Sequence, residues 1–383
     1  MKTSTRIASI DVFRALTMFL MIFVNDLWTL SGVPHWLEHA KIREDFLGFS
    51  DVIFPSFLFI LGMSIPFAIE NRMAKGESKP TIIKHIVFRS IALLVMGVFT
   101  VNYENLSSTI MNRDVFAMLM LAGFFLIWNI YPKKQNSSKY IFKGLQIIGI
   151  ALLLFLAFIF RDAKGSIMQP KWWGILGLIG WTYLICALIY VFVRKNLKYQ
   201  AIAWLLFVVL CMAGASHRLG IFDEILRGNG VFHAFTTGGV LLSLLFNRFS
   251  FKKLLPWLIV SGVLFIVFGK LSNYFWIISK IGETPPWLFY CTGISVLAYP
   301  LIYWLVDLKN KHSWFYSIGP AGTATLTCYL IPYWLDAIFS MTNFSLPAAW
   351  LIYPAGLLKC ILLSFFCIGI TWTLTKIGIK LKI

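Results

Sequence analysis

IDVFRALTMFLMIFVNDLWTLS, residues 10–31, is the stretch whose reading decides the architecture. It is apolar over about the 20 residues that a helix needs to cross roughly 30 Å of hydrocarbon. Yet it carries Asp11, Arg14, Asn25 and Asp26. A charge at the centre of a bilayer costs roughly 2.5–3.5 kcal/mol on insertion scales, so polar groups on a spanning helix mark functional candidates. Asp11, Arg14, Met18, Ile22, Asn25 and Thr29 follow one another in steps of three and four and share one helical face. Asp11 and Asn25 are separated by about 21 Å along that axis.

Outward from this helix, residues 1–51 hold Asp11, Asp26, Glu38, Glu44, Asp45 and Asp51, six of the 16 acidic residues of the chain, together with His35 and His39. The rest is mostly lipid-soluble in character. Of 383 positions, 59% are hydrophobic and 13% charged, more apolar surface than a soluble domain of this size can bury. The expected fold is all-α, a polytopic transmembrane bundle of about 10–12 spanning helices. Apolar stretches occur at 10–31, 50–70, 85–102, 114–131, 141–160, 173–193, 200–215, 231–247, 254–270, 286–306, 314–339 and 347–375. No connection is long enough for a soluble domain, so residues 1–383 read as a single integral-membrane domain with its motif-rich core at 6–62. Lys2 and Arg6 precede the first apolar run without a small-residue cleavage site, which does not resemble a cleaved signal.

The net charge of +18 is distributed by loop. Basic residues crowd alternate connections: Arg72, Lys75, Lys79 and Lys84; Lys133, Lys134 and Lys139; Arg194, Lys195 and Lys198; Arg248, Lys252 and Lys253; Lys309 and Lys311; and Lys376, Lys380 and Lys382. The intervening connections carry Glu104, Asp162, Asp223, Glu224 and Glu283. That is the positive-inside pattern, so the charge marks topology and excludes a nucleic-acid partner, and both termini are expected in the cytoplasm. The six cysteines lie in or near apolar runs without a CxxC pair, which argues against disulfides, thiol catalysis and zinc. No ligand set for a metal assembles.

Three outward connections, 32–48, 214–230 with His217, Arg218, Asp223 and Glu224, and 271–285 with Asn273, Lys280 and Glu283, form a potential roof over an external site. Trp28, Trp36, Trp172, Trp173, Trp276 and Trp287 fall at the same ends, either as an interfacial aromatic belt or as sugar-stacking platforms.

Within the amino-terminal cluster, Asp11 and Arg14 are spaced to neutralise each other, as an interfacial anchor or as a ligand grip. Asn25 and Asp26 lie inside the outer boundary, where an amide facing lipid has no partner; a buried structural network is the alternative, and Asp26 stays unassigned. Asp336 is a second acidic group deep in a late span. His39 with Asp51, which opens the second helix, forms a minimal general-base unit, the carboxylate fixing the imidazole tautomer. His35 is a rival that spacing alone does not exclude.

At these residues the chain resembles a known family, the membrane acyltransferases related to lysosomal heparan-α-glucosaminide N-acetyltransferase and their bacterial relatives. The resemblance is carried by Arg6-Ile-Ala-Ser-Ile-Asp11-Val-Phe-Arg14-Ala-Leu-Thr, by Phe23-Val-Asn25, by His39-Ala40, and by Asp51-Val-Ile-Phe-Pro55 through Phe59-Ile-Leu-Gly62. It continues more loosely at Lys280 and Thr284, at Tyr290-Cys-Thr-Gly293 and at Tyr303-Trp-Leu-Val-Asp307. Ala15 stands where the family has glycine, and the segments Gly174–Gly180 and Gly322–Leu326 lack the polar residues expected there.

The resemblance implies an acetyl group moved from cytosolic acetyl-CoA to a sugar amine or hydroxyl on the extracytoplasmic side. It implies His39 as the base and Asn25 as its polar partner; the physical reading adds Asp51 to the catalytic set and Arg14, which suits phosphate, with Asp11 and Lys280 as donor-binding residues. It places the protein in a bacterial inner (cytoplasmic) membrane, with acetyl-CoA, a glycan or amino-sugar acceptor and membrane lipid as partners and a homodimer as a candidate assembly. Direct attack of the acceptor on the thioester and transfer through an acetylated histidine both remain open. The rival class is a proton-coupled solute transporter using Asp11, Asp26 and His39 as a relay.

Overall fold

The computed structural model describes residues 8–107, 110–131, 137–216, 230–311 and 313–383. Arg6, Lys133, Lys134 and the polar groups His217, Arg218, Asp223 and Glu224 lie outside the described residues.

Each of the twelve apolar stretches contains a long helix: α1 (Ala8–Asp26), α2 (Ser50–Ala74), α3 (Lys79–Tyr103), α4 (Arg113–Trp128), α5 (Ser137–Ile159), α6 (Ile175–Val193), α7 (Leu197–Ala215), α8 (Val231–Arg248), α9 (Phe251–Ser272), α10 (Pro285–Tyr303), α11 (Thr325–Met341) and α12 (Ala355–Lys376). Among the described residues there is no strand, only isolated bridges between connections. A helix satisfies its backbone groups internally, which hydrocarbon demands. Nine helices of the described residues, α1, α2, α3, α5, α6, α7, α9, α10 and α12, are long and apolar enough to cross a membrane. The others differ for physical reasons. α4 and α11 run for 16 and 17 residues. α8 is polar because it sits among neighbours: every residue from Val231 to Thr237 is buried, and a helix that faces protein has no need of a lipid-compatible surface.

Two expected spans are shorter than their apolar stretches. Stretch 314–339 opens with a 3-10 turn (Ser313–Ser317) and a five-residue helix (Gly319–Thr323), breaks at Ala324, and only then runs as α11. Stretch 347–375 opens with a short 3-10 turn (Ala348–Leu351) and is α-helical only from Ala355, after Pro347 and Pro354. Proline lacks the amide that a continuing helix would use.

Close backbone approach sets the packing around the site. A Cβ on Gly62 would overlap the Thr236 carbonyl, and one on Gly239 would overlap the Phe59 carbonyl, so α2 and α8 touch through reciprocal glycines. In the same way, a Cβ on Gly97 would lie 2.5 Å from the Gly177 nitrogen, which joins α3 to α6. α1 runs through the middle, against α2, α10, α11, α12 and the short helix at Gly319–Thr323.

Connections gather at two ends. At the end that holds His39, the Ser31 amide donates to the Leu351 carbonyl at 2.8 Å and the Ile278 amide to Asp45 Oδ1 at 2.7 Å. At the end that holds Arg14, the Ala8 and Ser9 amides donate to the Asp307 carboxylate, each at 3.1 Å. α1 thus runs from one set of pinned connections to the other.

Candidate active site

Two cavities lie along α1. The larger, about 680 Å³, opens at the Arg14 end and takes in Asp11, Arg14, Met18 and Met21 of α1, Ser64 of α2 and Arg89 of α3. The smaller, about 280 Å³, is walled by Met21, Val24 and Asn25 of α1, with His39, Trp173, Phe232 and Lys280. Met21 and Ile175 belong to both walls. The stripe expected along α1 is therefore real but passes through Met21, whereas Ile22 is buried among other hydrophobic groups. Thr29 leaves the stripe too, accepting from Lys359 Nζ at 2.7 Å.

In the larger cavity Arg14 is fixed on three sides. Its guanidinium donates to Asp11 Oδ1 at 3.1 Å, to Ser64 Oγ at 2.5 Å and to the Gly322 carbonyl at 3.4 Å. Gly322 comes this close because it lacks a side chain: a Cβ there would lie 2.6 Å from the Asp11 carbonyl oxygen. The segment Gly322–Leu326 forms cavity wall, and Ile175, Leu176 and Ile179 of the segment Gly174–Gly180 face it.

Behind the His39 wall of the smaller cavity, Asp51 is the organising group. It sits in the first turn of α2, where the helix dipole favours negative charge. Its Oδ2 accepts from the Ala40 amide at 2.9 Å and the Gly48 amide at 3.3 Å; its Oδ1 lies 2.7 Å from His39 Nδ1. The loop between α1 and α2 is closed by Ser50 Oγ donating to the Leu37 carbonyl at 2.6 Å. Gly48 is needed there, since a Cβ would overlap the Glu38 carbonyl. With Oδ2 occupied by two backbone donors, Oδ1 takes the Nδ1 proton, which leaves the Nε2 lone pair as the basic position of the ring. The Asp51 side chain is 2% exposed and that of His39 42%, so a buried carboxylate holds an accessible imidazole.

Lys280, grouped in the sequence with Arg14 and Asp11, stands in this smaller cavity instead. Its Nζ is 3.3 Å from His39 Nδ1 and 3.9 Å from Asp51 Oδ1. Burial pulls its ammonium below the ordinary lysine range, and the Asp51 carboxylate opposes that shift. Asn25 faces the same cavity, its amide without a hydrogen-bond partner among the described residues. His35 is engaged elsewhere: its Nε2 pairs with Glu44 Oε1 at 2.8 Å and its ring lies on Phe46 with centroids 4.2 Å apart. It lines neither cavity.

The tryptophans divide. Trp173 lines the smaller cavity. Trp287 is fully buried and its Nε1 donates to the Asp51 carbonyl at 3.0 Å, so it is neither belt nor platform but a clamp on the start of α2. Asp26 turns away from the cavities to Lys359 of α12, at 2.7 Å. Ser64, Arg89 and Met21 were not singled out by sequence reasoning. Only Arg89, a cation inside an apolar run, carried a visible signal.

Residues 6–116 match the family model described as "Heparan-alpha-glucosaminide N-acetyltransferase, catalytic". The heparan-alpha-glucosaminide N-acetyltransferases of Mus musculus and Homo sapiens are each 35% identical to this chain, over 101 and 98 residues, 26% and 25% of its length. Those stretches cover 14% of either relative. The matched region carries Asp11 and Arg14 of the larger cavity wall, Asn25 and His39 of the smaller, and Asp51 behind His39. Over α1–α3 and the loop that holds His39, the chain is similar to the catalytic region of heparan-alpha-glucosaminide N-acetyltransferase.

Proposed function

We propose that the protein is a transmembrane acyltransferase, moving an acetyl group from acetyl-CoA at the Arg14 end to a sugar amine or hydroxyl at the His39 end. The observation that carries this reading is the pair of cavities that share Met21 and Ile175 in their walls, one lined by basic groups and the other by His39, which Asp51 holds from behind. Arg14 and Asn25 are about 16 Å apart along α1 at 1.5 Å per residue, within the reach of an extended pantetheine arm. The Arg14 end is the cytoplasmic one, from the distribution of basic loops, and the location is a bacterial inner membrane.

The donor supplies an acetyl thioester. His39 Nε2 takes the proton of the acceptor amine or hydroxyl while Asp51 holds Nδ1–H and stabilises the imidazolium. The acceptor atom bonds to the acetyl carbon, the carbon–sulfur bond breaks, and His39 returns the proton to the departing thiolate. The Asn25 amide, otherwise without a partner, donates to the acetyl oxygen as negative charge develops on it. Direct transfer is favoured over an acetylated histidine because His39 is accessible and carboxylate-oriented, the arrangement of a base. Against the transport reading, Asp11, Asp26 and His39 pair with separate groups, Arg14, Lys359 and Asp51, and not with one another among the described residues.

The test offers acetyl-CoA with a panel of amino sugars and neutral glycans to purified protein and detects acetylated product by mass spectrometry. Acetylation of an acceptor by the wild type and its loss in His39→Ala are expected; no product with any acceptor would overturn the reading.

A further inference from the structure

Lys280 is the one lysine in the wall of the smaller cavity among the described residues, and neither proton transfer at His39 nor charge stabilisation at Asn25 uses it. The connection between α9 and α10 holds it there. The Ser279 amide donates to Thr284 Oγ1 at 3.0 Å, the Thr284 amide to the Ser279 carbonyl at 3.1 Å and the Gly282 amide to Ser279 Oγ at 2.9 Å. Inside this tight turn the Glu283 amide donates to the Lys280 carbonyl at 3.2 Å, and Glu283 takes a φ of +52°, a left-handed conformation uncommon outside glycine. Ser279 and Thr284 are buried, and the Ile278 amide is tied to Asp45. The backbone around Lys280 is therefore fixed, and its side chain, 29% exposed, reaches into the cavity.

The surroundings of Nζ favour an amine over an ammonium. His39 Nδ1, 3.3 Å away, gives its proton to Asp51 Oδ1 at 2.7 Å and has no lone pair left to accept another. Asp51 Oδ1 itself is 3.9 Å from Nζ, too far for a hydrogen bond. An ammonium at this place thus has a charge partner but no close acceptor among the described residues, and burial lowers its hold on the proton. Lys359 shows the contrast. Its Nζ donates to Asp26 Oδ1 at 2.8 Å and to Thr29 Oγ1 at 2.7 Å, and it lies in neither cavity wall. Ser50, which also lines the smaller cavity, is buried and donates its hydroxyl proton to the Leu37 carbonyl. A desolvated lysine amine is a nucleophile toward carbonyl carbon.

We propose that Lys280 is a self-acetylation site, its amine taking the acetyl group from acetyl-CoA when no acceptor is bound, and that the acetylated side chain shuts the smaller cavity. This rests on the proposed acyltransferase reading for the donor. The ammonium first loses one proton to water at the cavity mouth. The free amine then attacks the acetyl carbon, the carbon–nitrogen bond forms and the carbon–sulfur bond breaks. The second proton passes to the departing thiolate, giving acetyl-lysine and CoA. The product is an amide, which does not hand the acetyl group on as a thioester does, so the modification is a brake and not an intermediate. In a space of about 280 Å³ walled by His39, Asn25 and Trp173, the added acetyl group takes the room of an acceptor and removes a positive charge beside Asp51.

The experiment incubates the wild type, in phosphatidylcholine nanodiscs, with deuterated acetyl-CoA and no sugar, then maps acetyl-lysines by peptide mass spectrometry and follows the release of CoA thiol. Lys280 should be acetylated faster than the exposed Lys41 and Lys75 by about tenfold or more, the least that a held amine gains over a free one. Lys280→Arg, which keeps the charge but is no nucleophile, should release CoA only at the background rate. When the panel of amino sugars and neutral glycans is then added, sugar acetylation by the wild type should fall in step with the fraction of Lys280 modified. Lys280→Arg should keep the rate it had before the incubation. Acetylation of Lys280 no faster than that of Lys41 and Lys75, beside acetylated sugar, would overturn the proposal and leave the proposed reaction standing. Undiminished sugar acetylation by the modified protein would overturn the closure of the cavity. Modified Lys280 with no acetylated sugar in any arm would sink the sugar acceptor and leave the lysine site standing, and the absence of both products would sink the two together.

Discussion

Met21 on α1 and Ile175 at the start of α6 stand in the walls of both cavities, so the boundary between the space at the Arg14 end and the space at His39 is formed in part by these two side chains. Neither is polar. An apolar boundary at this point suits a thin donor arm better than a hydrated solute. Met21→Trp should fill this boundary with an indole in place of a flexible thioether and slow transfer by roughly tenfold or more, about 1.4 kcal/mol or more on the barrier. Acetyl transfer should fall accordingly while CoA binding, measured by calorimetry, stays within about twofold. Full transfer in that variant would mean that the two cavities are not the route.

His39→Ala should lower acetyl transfer by about 10²–10⁴-fold, the range for a positioned proton-transfer group. Asp51→Asn should fall in the same direction, because an amide at that position no longer fixes the Nδ1–H tautomer. His35→Ala should stay near wild type, since that ring is occupied by Glu44 and Phe46 outside the cavities. Initial rates with saturating acetyl-CoA decide it, and the reverse order would move the base to His35.

Asp26 and Lys359 tie α1 to α12 across 333 positions of sequence, with both side chains about one-eighth exposed. Removing one member strands the other charge, which costs roughly 3–5 kcal/mol for a buried pair. Lys359→Met alone should therefore lower the melting temperature in detergent strongly, and Asp26→Asn with Lys359→Met should recover much of the loss. A single variant as stable as the wild type would show that the pair is open to water.

Lys280 gives the smaller cavity a pH signature. Burial holds its ammonium below the ordinary lysine value, so between the folded pKa and the unfolded value near about 10.4 the unfolded chain binds more protons. Stability contributed at this site therefore rises with pH through that window, and the penalty of the buried charge is fully present below it. Subtracting the melting-temperature profile of Lys280→Met from that of the wild type should reveal this rise at alkaline pH. A flat difference would place Lys280 in free contact with water.

Much of the bundle was legible from spacing alone. Lipid leaves a spanning chain little choice but to close its own hydrogen bonds, so each apolar stretch near 20 residues became a helix. The stripe Asp11–Arg14–Met18–Asn25 followed from a period of 3.6 residues per turn. Legibility failed where neighbours replaced lipid. α8 is buried by packing and so carries polar residues that a lipid-facing span would not; at the break at Ala324, Gly322 meets α1, a contact that no local pattern encodes.

What the sequence determined by itself is the membrane-spanning helical class, the polarity of α1 and the pairing of His39 with Asp51, because these rest on short-range spacing and on the solvent that surrounds the chain. Tertiary structure alone put His39 at the smaller cavity and His35 against Glu44, brought Lys280 to His39 and away from Arg14, and turned Asp26 toward Lys359. It also joined Arg89 of α3 with Lys380 and Lys382 beyond α12 around the larger cavity. These depend on how closely backbones approach at Gly62, Gly97, Gly239 and Gly322 and on where each connection folds back. Those distances are set by the packing of residues hundreds of positions apart, and no local spacing contains them.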